Sequence, residues 1–495
     1  MSIQQINNGD LGSVVRAALN SNFRDLSIRP GQLITPRFIF AGDSKAALAG
    51  ALAERSFAKW ALWLSGIEYL LNPALDNCGV SGATANTSST PATNGSGVST
   101  TLGFANDTNI NIIVGRVQAA VAAGENPVLW IQLGTNSFAS EDATLAAIRK
   151  AVNACRSAGA VMFLINEIPP VTGASATTAG NLGSQNAILR RWCETQADCY
   201  FMSHGVATLS QSSAVSAPSG ITNVVGSPTL DGIHESGLGA YLEGKYMAPQ
   251  LARLFRPAAV RYWGPGDQYQ AWSGAGAFPT AGLGANLIRN PLFAGTGGQD
   301  VTVKNDTSSV TGAMPDRWRL EGTLNGNVNI AFSTVANDYL NALTGRSDLT
   351  CLRMTLSGTP NADINLAFRN TDVSSPSSYP AIPNGTYSTI GQTILRFNAL
   401  TTIQEIEIRC GYASRMGNAG ATTQVANRLP ALTETIFANG RDPASVTVTG
   451  GGISTAAPPA NGLYLRLPSG VACSGSVDFI YADCRLKRPF PDPLA

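Results

Sequence analysis

Histidine is nearly missing from this chain: its 495 residues include two, His204 and His234. An imidazole acting as a base therefore has few places to sit. Charge is scarce as well. Charged residues make up 13% of the chain and the formal net charge is +1, so nucleic acid or an anionic membrane finds no basic excess to bind. No apolar stretch approaches the ~20 residues of a spanning helix. The opening MSIQQINNGDLG has neither a basic n-region nor an apolar h-region, so neither membrane insertion nor a signal peptide is expected. The eight cysteines (Cys78, Cys155, Cys193, Cys199, Cys351, Cys410, Cys473 and Cys484) show no metal-like pairing. No HExxH, CxxC, Walker or dinucleotide-binding string occurs, and no metal or organic cofactor is implied. Several cysteines sit in apolar patterns, and so large a chain needs no staples, so reduced, buried thiols are expected.

What is present is a set of three short strings far apart in sequence: Gly42-Asp43-Ser44, Gly134-Thr135-Asn136 and Asp231-Gly232-Ile233-His234. Acyl transfer needs a hydroxyl, a base to take its proton, a carboxylate to orient that base, and donors for the oxyanion. Ser44 supplies the hydroxyl, His234 the base, Asp231 the carboxylate and the Asn136 amide one donor. Each string alone is weak, since Gly-Asp-Ser is ordinary turn chemistry and Asp-x-x-His is more often a capped helix start. Together, in order and at the ends of strands or starts of helices, they favour catalysis. His204 reads as a structural residue and Asp43 as a turn former.

The surrounding pattern is α/β from about residue 35 to 258. The apolar runs 38–41, 128–133 and 161–165 read as strands buried on both faces. A helix opened by Ser140-Glu141-Asp142, with Leu145, Ile148, Val152 and Cys155 on one face and Gly159 as its stop, makes a βαβ unit with a parallel sheet. Further helices are read from Ile110 to Val121 and from Leu238 to Phe255. Three polar stretches, Ala83–Thr101, Val171–Asn181 and Gln211–Pro228, are expected to ring the site as loops, a rim suited to a hydrated sugar polymer. From residue 283 the period becomes two, as in Leu352, Met354, Leu356 and in Ile406, Ile408, Cys410, which points to an all-β sandwich. Trp318 reads as a core residue.

Over residues 35–258 the chain resembles the SGNH (GDSL-type) hydrolase family. That resemblance implies a three-layer fold with a parallel sheet, Ser44 as nucleophile, and Asp231 and His234 as its partners. It further implies an oxyanion hole built from the Ser44 and Gly82 backbone N–H groups and Asn136, Gly82 lying in the block Asn77–Thr84. The family's G-x-N-D block reads Gly-Thr-Asn-Ser here, so Ser137 replaces the aspartate. The segment Ile6–Phe23 is similar to the N-terminal segment of bacteriophage tail-fibre and tail-spike proteins. Both ends of the C-terminal half, Asn286–Phe293 and Val477–Leu486, resemble the ends of carbohydrate-binding-module β-sandwiches of jelly-roll type.

These readings divide the chain into a virion-attachment arm (1–30), a hydrolase domain (31–258), a linker (259–282) and a β-sandwich (283–495). They imply a serine esterase that removes O-acetyl groups from host surface polysaccharide, carried on a phage tail or baseplate through residues 1–30. Phage spikes are often trimeric, so a homotrimer is expected. The alternatives are a non-enzymatic adhesin on a hydrolase fold and a bacterial carbohydrate esterase outside any virion.

Overall fold

The computed structural model describes residues 35–52, 55–137, 141–169, 176–203, 233–258, 260, 292–293, 295–370, 385–409, 415–416, 429–449, 452–454 and 462–487. The attachment arm, most of the linker, His204, Asp231 and the stretch Gln211–Pro228 lie outside the described residues.

The first part runs β1 (Pro36–Gly42), α1 (Ser44–Gly50), α2 (Phe57–Ser65), α3 (Pro73–Asp76), β2 (Asn77–Gly79), β3 (Pro91–Thr93), β4 (Ser99–Thr101), α4 (Asp107–Ala122), β5 (Asn126–Gln132), α5 (Glu141–Ser157), β6 (Met162–Asn166), α6 (Ala176–Glu194), β7 (Cys199–Met202) and α7 (Gly237–Leu254). Its main sheet has the order β2-β1-β5-β6-β7, with every pairing parallel. Apolar residues occupy both sides of each central strand because helices cover both faces. Ile39, Ala41, Leu129, Ile131, Phe163 and Ile165 pack against the buried stripes of α4 and α5. Phe38, Phe40, Val128, Trp130 and Leu164 pack on the other side against Phe57, Trp60, Tyr241 and Leu251 of α2 and α7. Three layers result, as expected.

Two of the expected rim loops are differently built. Ala83–Thr101 contains the β3–β4 hairpin, with Pro91 opposite Thr101. Ala176–Asn181, expected as loop, is the start of α6. Its Ala-Thr-Thr-Ala-Gly-Asn opening carries no apolar repeat; the helix is anchored further on, through the buried Leu189 and Cys193.

The second part consists of strands apart from one short helix, Asp338–Thr344, among the described residues. A seven-stranded and a six-stranded sheet, both mostly antiparallel, face each other. Leu352, Met354 and Leu356 of one sheet meet Leu366, Phe368, Ile406, Ile408 and Leu465 of the other in a single core. Trp318 belongs to that core: it is 1% exposed and stacks on Phe368 at 5.2 Å and 16°. The two parts meet where Tyr241 and Lys245 of α7 reach Glu434, Lys245 Nζ lying 2.6 Å from Glu434 Oε1. The seven described cysteines are free and buried. Among the described residues, no helix is long and apolar enough to cross a membrane.

Candidate active site

The strand register puts the key loops side by side. Gly42, the last residue of β1, is the partner of Gly79 at the end of β2 and of Gln132 at the end of β5. The loops carrying Ser44, Gly82 and Asn136 therefore leave three neighbouring strands at one edge. Chain order also reverses here, with β2 on one side of β1 and β5 on the other. Parallel sheets open a crevice at such a switch point, beyond the carboxyl ends of the strands.

Glycine is required where two of these loops begin. At Gly42, φ is +135° and a Cβ would lie 1.7 Å from the Gln132 carbonyl oxygen. At Gly134, φ is +130° and a Cβ would meet Ile168 Cδ1 at 2.4 Å. The chain then enters α1 through Asp43, whose Oδ1 caps the helix by accepting the Lys45 N–H at 3.0 Å. The other oxygen, Oδ2, accepts the Thr135 N–H at 3.3 Å. One carboxylate thus ties the Ser44 turn to the Asn136 turn. Burial pushes the Asp43 carboxyl up to about 6, against the opposing pull of Lys45 and Thr135.

Ser44 is the first residue of α1 and is 7% exposed. His234 stands on the turn before α7, a helix capped by Ser236, whose hydroxyl accepts the Gly239 N–H at 3.1 Å. The imidazole Nε2 lies 2.8 Å from the Ser44 hydroxyl oxygen, although 190 positions separate the two residues. A hydroxyl within hydrogen-bond reach of an imidazole can lose its proton as it attacks an electrophilic carbon.

Asn136 is exposed on its turn and donates one amide hydrogen to the Ala83 carbonyl at 3.1 Å. A primary amide has a second hydrogen to give. Ser137, next to Asn136, is held from both sides. Its hydroxyl accepts the Ala85 N–H at 2.8 Å and its carbonyl accepts from Gln185 Nε2 at 3.0 Å. Buried Gln185 in turn accepts from the Thr144 hydroxyl at 3.2 Å. The serine therefore links the Gly82 loop, the Asn136 turn and α6.

Sequence reasoning passed over four residues around the pair. Lys45, next to Ser44, forms a buried ion pair with Glu235, next to His234. Arg55 Nε donates to the Glu235 backbone carbonyl at 2.6 Å. Glu243 of α7 is wholly buried and its charge acts on both Lys45 and Glu235. Burial alone would lower the Lys45 ammonium, but the carboxylates around it hold it above the usual lysine range. Burial raises the Glu235 carboxyl, against the attraction of Lys45. The signal available in sequence was a lysine and a glutamate flanking the Gly-Asp-Ser and Asp-Gly-Ile-His strings within Ala- and Gly-rich segments. Among the described residues, no cluster of His, Cys, Asp and Glu is arranged to hold a metal ion.

The chain is similar in structure to a candidate platelet activating factor from Streptococcus pneumonia, at TM-score 0.28 and 13% identity over 48% of this chain and 92% of that one. A lipolytic protein ascribed to the G-D-S-L family from Desulfitobacterium hafniense DCB-2 matches at TM-score 0.27 and 12% identity, over 45% of this chain and 99% of that one. The tail fibre protein gp63.1 of an E. coli phage matches at TM-score 0.29 and 13% identity, over 97% of this chain and 49% of its own length. No family model matches the chain, and no curated protein matches it.

Proposed function

We propose that the chain is a serine esterase of the SGNH type that removes O-acetyl groups from a host surface polysaccharide during phage adsorption. The observation that carries this reading is the 2.8 Å contact between Ser44 and His234 at the switch point of a parallel sheet. In the proposed reaction His234 Nε2 takes the Ser44 proton as the hydroxyl attacks the acetyl carbonyl. The role of the carboxylate that orients the imidazole is assigned to Asp231, which lies outside the described residues, and that of holding the oxyanion to the Ser44 and Gly82 N–H groups and the second hydrogen of the Asn136 amide. His234 then gives the proton to the sugar oxygen as its bond to the acetyl carbon breaks, releasing the sugar hydroxyl, and water repeats the cycle on the acetyl-enzyme to release acetate. Support for a sugar ester comes from the Ser, Thr, Asn and Gly composition of the segment after Gly82. The resemblance of residues 6–23 to tail-protein segments supports the virion setting.

The test is acetate release from O-acetylated host polysaccharide, with a chromogenic acetate ester as the small-substrate control. Ser44→Ala and His234→Ala should each remove nearly all turnover of both while the protein stays folded. A Ser44→Ala protein that hydrolyses the small ester at the wild-type rate overturns the assignment. Turnover of the small ester without acetate release from any polysaccharide would keep the esterase and reject the substrate.

A further inference from the structure

Resting on the hydrolase reading above, we infer that Glu235, gripped by Lys45 through its side chain and by Arg55 through its backbone carbonyl, is a positioning residue that sets His234 over Ser44.

The argument starts from adjacency. Lys45 follows the nucleophile in sequence and Glu235 follows the base, so an ion pair between them joins the two short segments that must meet. Both partners are almost fully buried, at 2% and 1% side-chain exposure, where water neither screens the attraction nor competes for it. The first turn of α1 is already fixed, because the Asp43 cap ties it to the Thr135 turn. Burial among the carboxylates of Glu235, Glu243 and Asp43 then limits where the Lys45 ammonium can go. On its other side the 233–236 segment runs into α7, which Ser236 caps. Lys45 and Arg55 approach Glu235 at two different atoms, the carboxylate and the carbonyl oxygen. Two tethers on one residue restrict both displacement and rotation of its peptide, and His234 is its immediate neighbour.

A buried lysine is a costly way to fill space between α1 and α7, where leucine or methionine would pack without charge. What the pair adds is direction. An apolar contact tolerates a slide of an ångström, whereas a charged donor on a carboxylate oxygen does not. Misplacement on that scale at a reacting centre costs about 100-fold in rate. Lys45 and Glu235 each stand one residue away from the Ser44–His234 contact, so their effect is exerted through the two segments.

Two full-length variants test the assignment, with kcat and KM on a chromogenic acetate ester measured well below each unfolding midpoint. Glu235→Gln keeps the shape but loses the carboxylate; Glu243 and Asp43 still face the Lys45 ammonium, so its charge remains balanced. Arg55→Met removes the second tether and leaves the Lys45–Glu235 pair in place. Glu235→Gln should lower kcat by about 10- to 100-fold, and Arg55→Met by about 3- to 10-fold, with KM nearly unchanged in both, the pattern of a lost transition-state alignment. A residue needed only for stability would shift the melting midpoint and leave kcat in place. A folded Glu235→Gln with wild-type kcat overturns the inference. Should Glu235→Gln fail to fold, Arg55→Met decides alone, and wild-type kcat there overturns it too. Ser44→Ala run alongside separates the two levels: its inactivity with a fully active Glu235→Gln sinks the positioning role only, whereas an active Ser44→Ala sinks the esterase reading itself.

Discussion

Replacing Asp43 by asparagine should change the sign of a stability difference with pH. In the folded protein this carboxyl is wholly buried and pushed up from 3.8 to about 6. Between about pH 4 and 6 the folded state therefore holds a proton at Asp43 that the unfolded chain has already lost. Stability then falls as pH rises through that window, and above it the full cost of the buried charge is present. A displacement of about two units corresponds to roughly 3 kcal/mol. Asparagine carries no charge, so Asp43→Asn escapes this loss, but it has one oxygen where the carboxylate has two. It can accept from Lys45 N–H or from Thr135 N–H but not with the same geometry from both, at a pH-independent cost of about 1–3 kcal/mol. The variant should accordingly be the less stable protein at pH 4 and the equal or more stable one at pH 8. The stability of the variant relative to wild type should climb by on the order of 3 kcal/mol between those limits. Urea unfolding of both proteins across the pH range, with the difference taken at each pH, removes contributions from every group they share. A stability difference that stays flat from pH 4 to 8 would refute the reasoning. Activity supplies a second observable, because the loosened Thr135 turn carries Asn136: kcat of Asp43→Asn should fall even where the variant is the more stable protein.

Ser137→Ala deletes the acceptor of the Ala85 N–H and unties the Gly82 loop from the Asn136 turn. It should cost about 1–3 kcal/mol of stability and lower kcat about tenfold, a fraction of the ~2.7–4 kcal/mol that a whole oxyanion donor supplies; thermal melts and ester kinetics read the two effects separately, and an unchanged kcat would remove Ser137 from the support of the site. At the opposite edge of the sheet, buried Asp76 holds Arg37 through Nε at 3.0 Å and Nη2 at 2.9 Å, and Arg116 at 3.1 Å. Asp76→Ala leaves Arg37 to Glu125 alone, at 2.5 Å from Nη1, and takes a carboxylate from Arg116. It should destabilise the fold toward the lower end of the ~3–5 kcal/mol of a broken buried pair, with kcat of the folded protein at low temperature unaltered; a stability loss under ~1 kcal/mol, within the range of exposed pairs, would contradict the burial argument.

Much of this molecule is written in local pattern. Continuous apolar runs mark β1, β5 and β6 because a strand covered on both faces has no solvent side to colour polar. Leu352, Met354 and Leu356 mark a half-buried strand because side chains alternate across a sheet. The Gly-Asp-Ser and Gly-Thr-Asn strings are legible for a related reason: Gly42 and Gly134 occupy backbone positions that other residues cannot adopt without collision, so tight turns after strands leave a trace in sequence. Helix α6 left a weaker trace, since its first turns bring no apolar repeat, and α2 escaped sequence reading although Trp60 and Trp63 lie in it.

The order of strands could not be read this way. That β5 lies beside β1, with Gln132 in register with Gly42, depends on how the helices fill both faces of the sheet, and no residue near either strand records it. The same holds for the groups that steady the site. Lys45 and Glu235 read along the chain as two ordinary charges 190 residues apart. Only the packing of α7 against the α1 side of the sheet brings them into one dry space, and it is the dryness that makes their attraction directional and their separation costly. Sequence determined which groups could do the chemistry; tertiary structure decided which of them meet, and what keeps Ser44 and His234 together.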